Sequence, residues 1–336
     1  MSYISIGDMA QTYSFRRQNL QLKTTANRLG HELTTGRTSD AAKRFSGDFT
    51  VISGLETSLK SLRAYQSATK EAAHFTASMQ TALGVVQDQT TEAISTFLLT
   101  RNTADQTQVH STAADVRQRF DAVVSALNTQ VGGRSLFAGA ATDGPAIASP
   151  VSILADLQVA IAGQTTAAGV RAAVDNWFDA PGGGFETAGY LGSATPLSPF
   201  KISAGQYAEI PLTAADVTMR DTLKNLALAA LVSEGALAAD LPEQALLLQI
   251  AGDRLLSVGD KQTEIRANLG ISEAQIETVS VQTASEISAL EIVKSELLSV
   301  DPYQAASELE AVQTQLETLY ALTSRMSRLN LVDFLR

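Results

Sequence analysis

The sequence predicts a mainly α fold: a long antiparallel helical coiled-coil rod formed by both termini, with an inserted small α+β or β-rich middle domain. Three observations predict it. Helix breakers are concentrated centrally, with six of the eight prolines between Pro145 and Pro211 and twelve of the 22 glycines between Gly132 and Gly205. Both residue types disfavour helix interiors, so the two ends are left free to be helical. Apolar residues near the ends recur at alternating steps of three and four, the spacing of one helix face. Formal charge is segregated as well: +3 over residues 1–50, zero over 51–134, −4 over 135–215 and −9 over 216–336. Opposite charges flanking apolar seams help choose partner and orientation, so the basic start and acidic second half favour pairing of the ends.

The first helix carries Phe15, Asn19, Leu22, Ala26, Leu29 and Leu33 on one face, with Asn19 as the polar member. Gly36 suits its C-terminal cap, and Ser39 or Asp40 suits the N-cap of the next helical segment. A long helix is expected from about Thr50 to Leu99, with Ile52, Leu55, Leu59 and Leu62, then Phe75, Met79, Leu83 and Val86, on its stripe. A third is expected from about Asp105 to Val131, stopped by Gly132-Gly133.

The centre reads differently. Short helices fit residues 152–162 and 167–178, and Gly182-Gly183-Gly184 marks a loop. Phe200–Ser203 and Tyr207–Leu212 fit short strands around Gly205. Helix resumes behind Asp216 to about Ser233. Another starts at Pro242 and runs to about Val300, with faults expected at Gly252, Gly259 and Gly270. The last helix, after Asp301-Pro302, carries Leu309, Val312, Leu316, Leu319, Thr323 and Met326. The segments are thus an N-terminal assembly helix and turn (1–50), helical rod (51–134), inserted middle domain (135–215), helical rod (216–300) and C-terminal assembly helix (301–336). A helix of about 50 residues spans roughly 75 Å, hence the expected rod.

Composition excludes several chemistries. The absence of cysteine removes disulfides, thiolate zinc sites and thiol nucleophiles. A net charge of −10 argues against a general nucleic-acid binder. The only histidines, His31, His74 and His110, fall on three separate predicted helices. No phosphate loop, dinucleotide fingerprint or nucleophile elbow is present. No catalytic residue, cofactor-binding residue or metal ligand is therefore expected, and no cofactor or enzyme activity. The start, Met1–Asp8, lacks a basic and an apolar signal region, and no apolar run approaches a membrane span.

Four local patterns then resemble the flagellin superfamily and, within it, the family of flagellar hook–filament junction proteins. Leu33-Thr34-Thr35-Gly36-Arg37-Thr38-Ser39-Asp40-Ala41-Ala42 resembles the turn after the first helix, written LSSGKR…SD. The usual SDDP is here Ser39-Asp40-Ala41-Ala42. The run from Val131 to Pro145, which includes Gly133-Arg134-Ser135-Leu136-Phe137 and Thr142-Asp143-Gly144-Pro145, is similar to the segment entering the middle domain. Ala215–Lys224 resembles the helix leading out of it. Ser327-Arg328-Leu329-Asn330-Leu331-Val332-Asp333-Phe334-Leu335 resembles the family's C-terminal tail, and the tail of flagellin proper is absent.

The resemblance implies a structural subunit of the bacterial flagellum, an extracellular adaptor joining a hook-associated ring to the flagellin filament through coiled-coil termini. It implies self-assembly into a ring, contact with another hook-associated protein and with flagellin, and type III export without a cleaved signal peptide. An export chaperone is a further implied partner. The assembly seam pairs Phe15, Leu22, Leu29 and Leu33 with Leu309, Val312, Leu316, Leu319 and Met326. Leu331, Phe334 and Leu335 are assigned a chaperone contact. An isolated arm has nothing to cover its seam and is expected to order on assembly. Nucleic acid and membrane are not expected partners. Three alternatives stay open: a flagellin filament subunit, a cytoplasmic helical adaptor rod, and an enzyme carried by a polar pocket around Trp177.

Overall fold

The computed structural model describes residues 6–100 and 105–328. The fold is mainly α: long helices pack antiparallel, and among the described residues small two-stranded sheets occur only in the middle of the chain. Contacts divide it into two compact units. One holds the described residues up to Arg63 together with those from Ser285 onward, and the other holds Ala64–Ala284.

In the first unit, α1 (Ile6–Thr35) ends at Gly36, which adopts φ +67° and donates its N–H to the Glu32 carbonyl at 2.8 Å. That left-handed geometry costs glycine little, as a helix C-terminus requires. Asp40 then caps the short α2 (Ala41–Arg44), accepting from the Lys43 N–H. The start of α3 (Thr50–Thr100) and the end of α8 (Leu241–Leu298) contribute a small apolar cluster, Leu55, Leu59 and Ile287, backed by Leu62, Leu290 and Leu297. Two ion pairs flank it, Arg63–Glu291 at 2.7 Å and Lys294–Glu56 at 2.8 Å. α9 (Pro302–Arg328) completes the unit.

The second unit carries the main core. Capped by Asp105, α4 (Gln106–Leu127) buries Val116, Phe120, Val123 and Leu127. It stops earlier than the expected Val131. The reason is Asn128: its side-chain amide donates to the Ile147 carbonyl and its oxygen accepts from the Ile147 N–H, both at 2.8 Å. This pairing draws the chain out of the helix. Gly132 and Gly133, both at positive φ, instead turn the hairpin of β1 (Gln130–Val131) and β2 (Arg134–Ser135).

The central helices α5 (Pro150–Ala160) and α6 (Ala167–Asp179) are capped by Ser149 and Thr166. A π-helical turn comes next, at Phe185–Gly189. The second hairpin, β3 (Phe200–Ser203) and β4 (Gln206–Ala208), turns at Gly205 with φ +80°. Its second strand is shorter than expected, because beyond Ala208 the chain leaves the ladder. α7 (Val217–Ser233) is capped by Asp216 and buries almost its whole circumference. Apolar residues between Leu136 and Ala214 join those of α3, α4, α7 and α8 in one buried cluster. α8 runs without a break through Gly252, Gly259 and Gly270, where faults were expected.

Candidate assembly surface

α1 and α9 pack against each other in antiparallel register. At one end, the Val300 N–H donates to the Gly36 carbonyl at 3.0 Å and the Thr38 N–H to the Leu298 carbonyl at 2.8 Å. At the other, the Gln11 amide lies 3.7 Å from Met326 Sδ. Between them Lys23 Nζ stands 6.0 Å from the Tyr320 ring centre, within range of a cation–π contact. Asn19 and Lys23, as donors beside the phenol oxygen, hold the Tyr320 pKa below the ordinary tyrosine value. The sign follows because a donor stabilises the phenolate more than the phenol.

The seam residues read from the sequence lie on these two helices. Leu29 and Leu319 are buried. Phe15, Leu22, Leu309, Val312 and Leu316 are half-buried, and Leu33 and Met326 are exposed at 38% and 37%. A seam this open leaves most of its side chains incompletely covered by one partner helix. Leu331, Phe334 and Leu335 lie outside the described residues.

The structure also adds residues that the seam pattern missed. Met9, Tyr13 and Leu20 are 57%, 71% and 67% exposed on a second face of α1. At about 100° per residue they sit well away from the seam stripe. Their spacing of four and seven was a usable signal, but Arg16 interrupts it. Tyr320 was missed because it sits beside, not on, the stripe of α9.

The turn at the base of the pair is held by a buried carboxylate. Glu32 accepts from the Ser39 N–H at 2.8 Å and from the Arg28 guanidinium through both oxygens. Around it lies an open polar groove of about 530 Å³, lined by residues that include Arg28, Lys43, Arg44 and Asp301. Asp301 caps α9 by accepting from the Tyr303 N–H at 2.8 Å.

Trp177 is buried against Phe178 and Phe185, edge-on to both rings, and a Cβ on Gly184 would fall inside the indole. The ring therefore fills space that a pocket would need. His31, His74 and His110 are exposed on separate helices. Among the described residues, no group of three His, Asp or Glu side chains is placed to hold a metal ion. Among them, too, no helix is long and apolar enough to cross a membrane.

Residues 258–335 match the family model of the bacterial flagellin C-terminal helical region. The C-terminal helical region is thus similar to that of flagellin. It takes in α8 from Val258 onward and the whole of α9, so one of the two paired helices of the seam lies within it. No curated protein matches the chain in sequence. Among solved structures, FlgL from Bacillus cereus is 16% identical, with a TM-score of 0.49, over 72% of this chain and all of that one. A putative flagellar hook-associated protein from Vibrio parahaemolyticus is 15% identical, with a TM-score of 0.43, over 73% of this chain and 99% of that one. The flagellin-like assignment rests on the match to the C-terminal region.

Proposed function

We propose that this chain is a structural, non-enzymatic subunit of the bacterial flagellum that joins the hook-associated ring to the flagellin filament, the role of hook-associated protein 3. The observation that carries the reading is the pairing of α1 with α9, whose apolar seam stays half open, together with the likeness of the region that holds α9 to the flagellin C-terminal region. An apolar stripe that one neighbour cannot cover favours further helices around it. In the assembled ring those helices come from neighbouring subunits, from the hook-associated protein below and from flagellin above. Residues 135–215 face outward. The subunit leaves the cell by type III export, and a chaperone holds Leu331, Phe334 and Leu335 before export.

Deletion of residues 1–34 tests the reading. It removes almost all of α1 and should abolish incorporation into flagella. Deleting the whole gene should leave hooks without filaments and flagellin shed into the medium. Normal filaments built with the truncated subunit would overturn the proposal. The flagellin C-terminal match also suits a filament subunit. Such a subunit would polymerise alone when purified, whereas a junction protein stays mostly monomeric. A cytoplasmic adaptor would not reach the cell exterior at all.

A further inference from the structure

The packing of α3 on α8 in the second unit contains a conflict that apolar burial alone does not resolve. On α8, Leu248, Leu255, Gln262, Leu269, Ile276 and Thr283 succeed one another at steps of seven, and all are buried. On α3, Thr69, Thr76, Leu83, Thr90 and Phe97 form one buried column of the same period, and Ala72, Met79, Val86 and Ala93 form another. A slip of seven residues would set one buried member of the column where another had been, apolar on apolar for Leu248 and Leu255 and for Leu269 and Ile276. Hydrophobic packing thus discriminates weakly between the native register and its neighbours.

Gln262 breaks the degeneracy. Its amide nitrogen donates to Thr90 Oγ1 of α3 at 3.1 Å and to Thr222 Oγ1 of α7 at 2.8 Å. Each threonine hydroxyl already donates to the carbonyl four residues before it, Thr90 to Val86 and Thr222 to Thr218, both at 2.8 Å. The two oxygens are left to accept, and the amide supplies the two N–H groups that meet them. All three side chains are buried. One turn away the contact continues in half-buried polar groups. Arg266 donates to the side-chain amide oxygens of Gln80 and Gln87, Gln80 donates to the Arg266 backbone carbonyl at 2.8 Å, and Gln87 to Thr263 Oγ1 at 3.1 Å.

We propose that Gln262 is the register pin of the second unit, fixing α8 against both α3 and α7, with Arg266 as its outer support. Shifted by seven residues, the amide would face the Leu83 or Phe97 level, and the threonine oxygens would face leucine. Every shifted register buries polar groups without partners. The pin is not a net gain in stability, since among the described residues no donor meets Gln262 Oε1. Buried polar groups of this kind are replaceable by apolar ones with little loss of stability, and setting register is their best-attested use.

The absence of cysteine makes the test direct. Lys70 on α3 and Ser257 on α8 are exposed, and changing both to cysteine allows two spin labels to be attached. The parent should give a single inter-label distance by double electron–electron resonance. The variant Thr90→Val, Thr222→Val, Gln262→Leu should melt at or above the parent temperature yet show a second distance about 10 Å away, the rise of seven helical residues. A single, unmoved distance in that variant overturns the proposal, whether or not stability changes. If the triple variant does not fold, Arg266→Met decides: a broadened distance supports the pin and a single unchanged one overturns it.

Discussion

Two glycines of α8 illustrate how one residue type takes opposite roles within one helix. A Cβ on Gly252 would come 2.7 Å from the Phe97 Cβ, so α3 and α8 approach closely there. At Gly259 no atom lies within 4 Å of the added Cβ. Gly252→Ala should therefore lose about 1–3 kcal/mol through overpacking, overriding the gain of about 1 kcal/mol that alanine offers a helix. Gly259→Ala should instead gain about 0.5–1 kcal/mol. Urea unfolding of the two variants beside the parent checks both signs. If both alanines stabilise, the close approach at Phe97 is wrong. The sequence marked these glycines alike, as faults in a helix, because spacing does not show what faces each one. Gln262 was equally silent: one glutamine in a polar-rich helix gains its meaning only when Thr90 and Thr222 meet it.

At the scale of elements, α1 separates stability from assembly. Leu29 is 2% exposed and Leu20 is 67% exposed. Leu29→Ala should cost about 2–5 kcal/mol of the packing between α1 and α9, read as earlier loss of helix signal on heating. Leu20→Ser should leave that signal within about 0.5 kcal/mol of the parent but, under the proposed function, reduce incorporation into flagella. Full incorporation of Leu20→Ser would remove the second face from the assembly surface. The helices themselves were legible, since apolar spacing and capping residues such as Asp105 and Asp216 act locally. The end of α4 was not. It depends on Asn128 meeting Ile147, nineteen residues away, and no local pattern announces that pair.

For the whole molecule, the two units lead to different expectations for truncation. Every member of the main buried cluster lies at or beyond Phe75, and none belongs to α1. Removing residues 1–34 should leave the melting of that core and the near-ultraviolet signal of Trp177 close to those of the parent. Calorimetry with near-ultraviolet dichroism would test this, and collapse of the Trp177 signal would show that the core depends on the arm. Such a result would also undermine the use of the truncation as a clean test of assembly.

By itself, the sequence determined which parts of the chain are helical, and that one face of the first and last helices must be covered. These are properties of backbone and periodicity: prolines and glycines concentrated in the centre leave the ends helical, and a stripe at steps of three and four has one apolar side. It also determined that thiol chemistry is absent. Tertiary structure alone decided which faces meet. It paired Asn19 and Lys23 with Tyr320, left Met9, Tyr13 and Leu20 uncovered, and merged the central segment with the helices in one core. The physical reason is that burial and buried hydrogen bonds are properties of pairs of surfaces. A repeat of seven offers several equivalent pairings, and only contacts between residues distant in sequence select one of them.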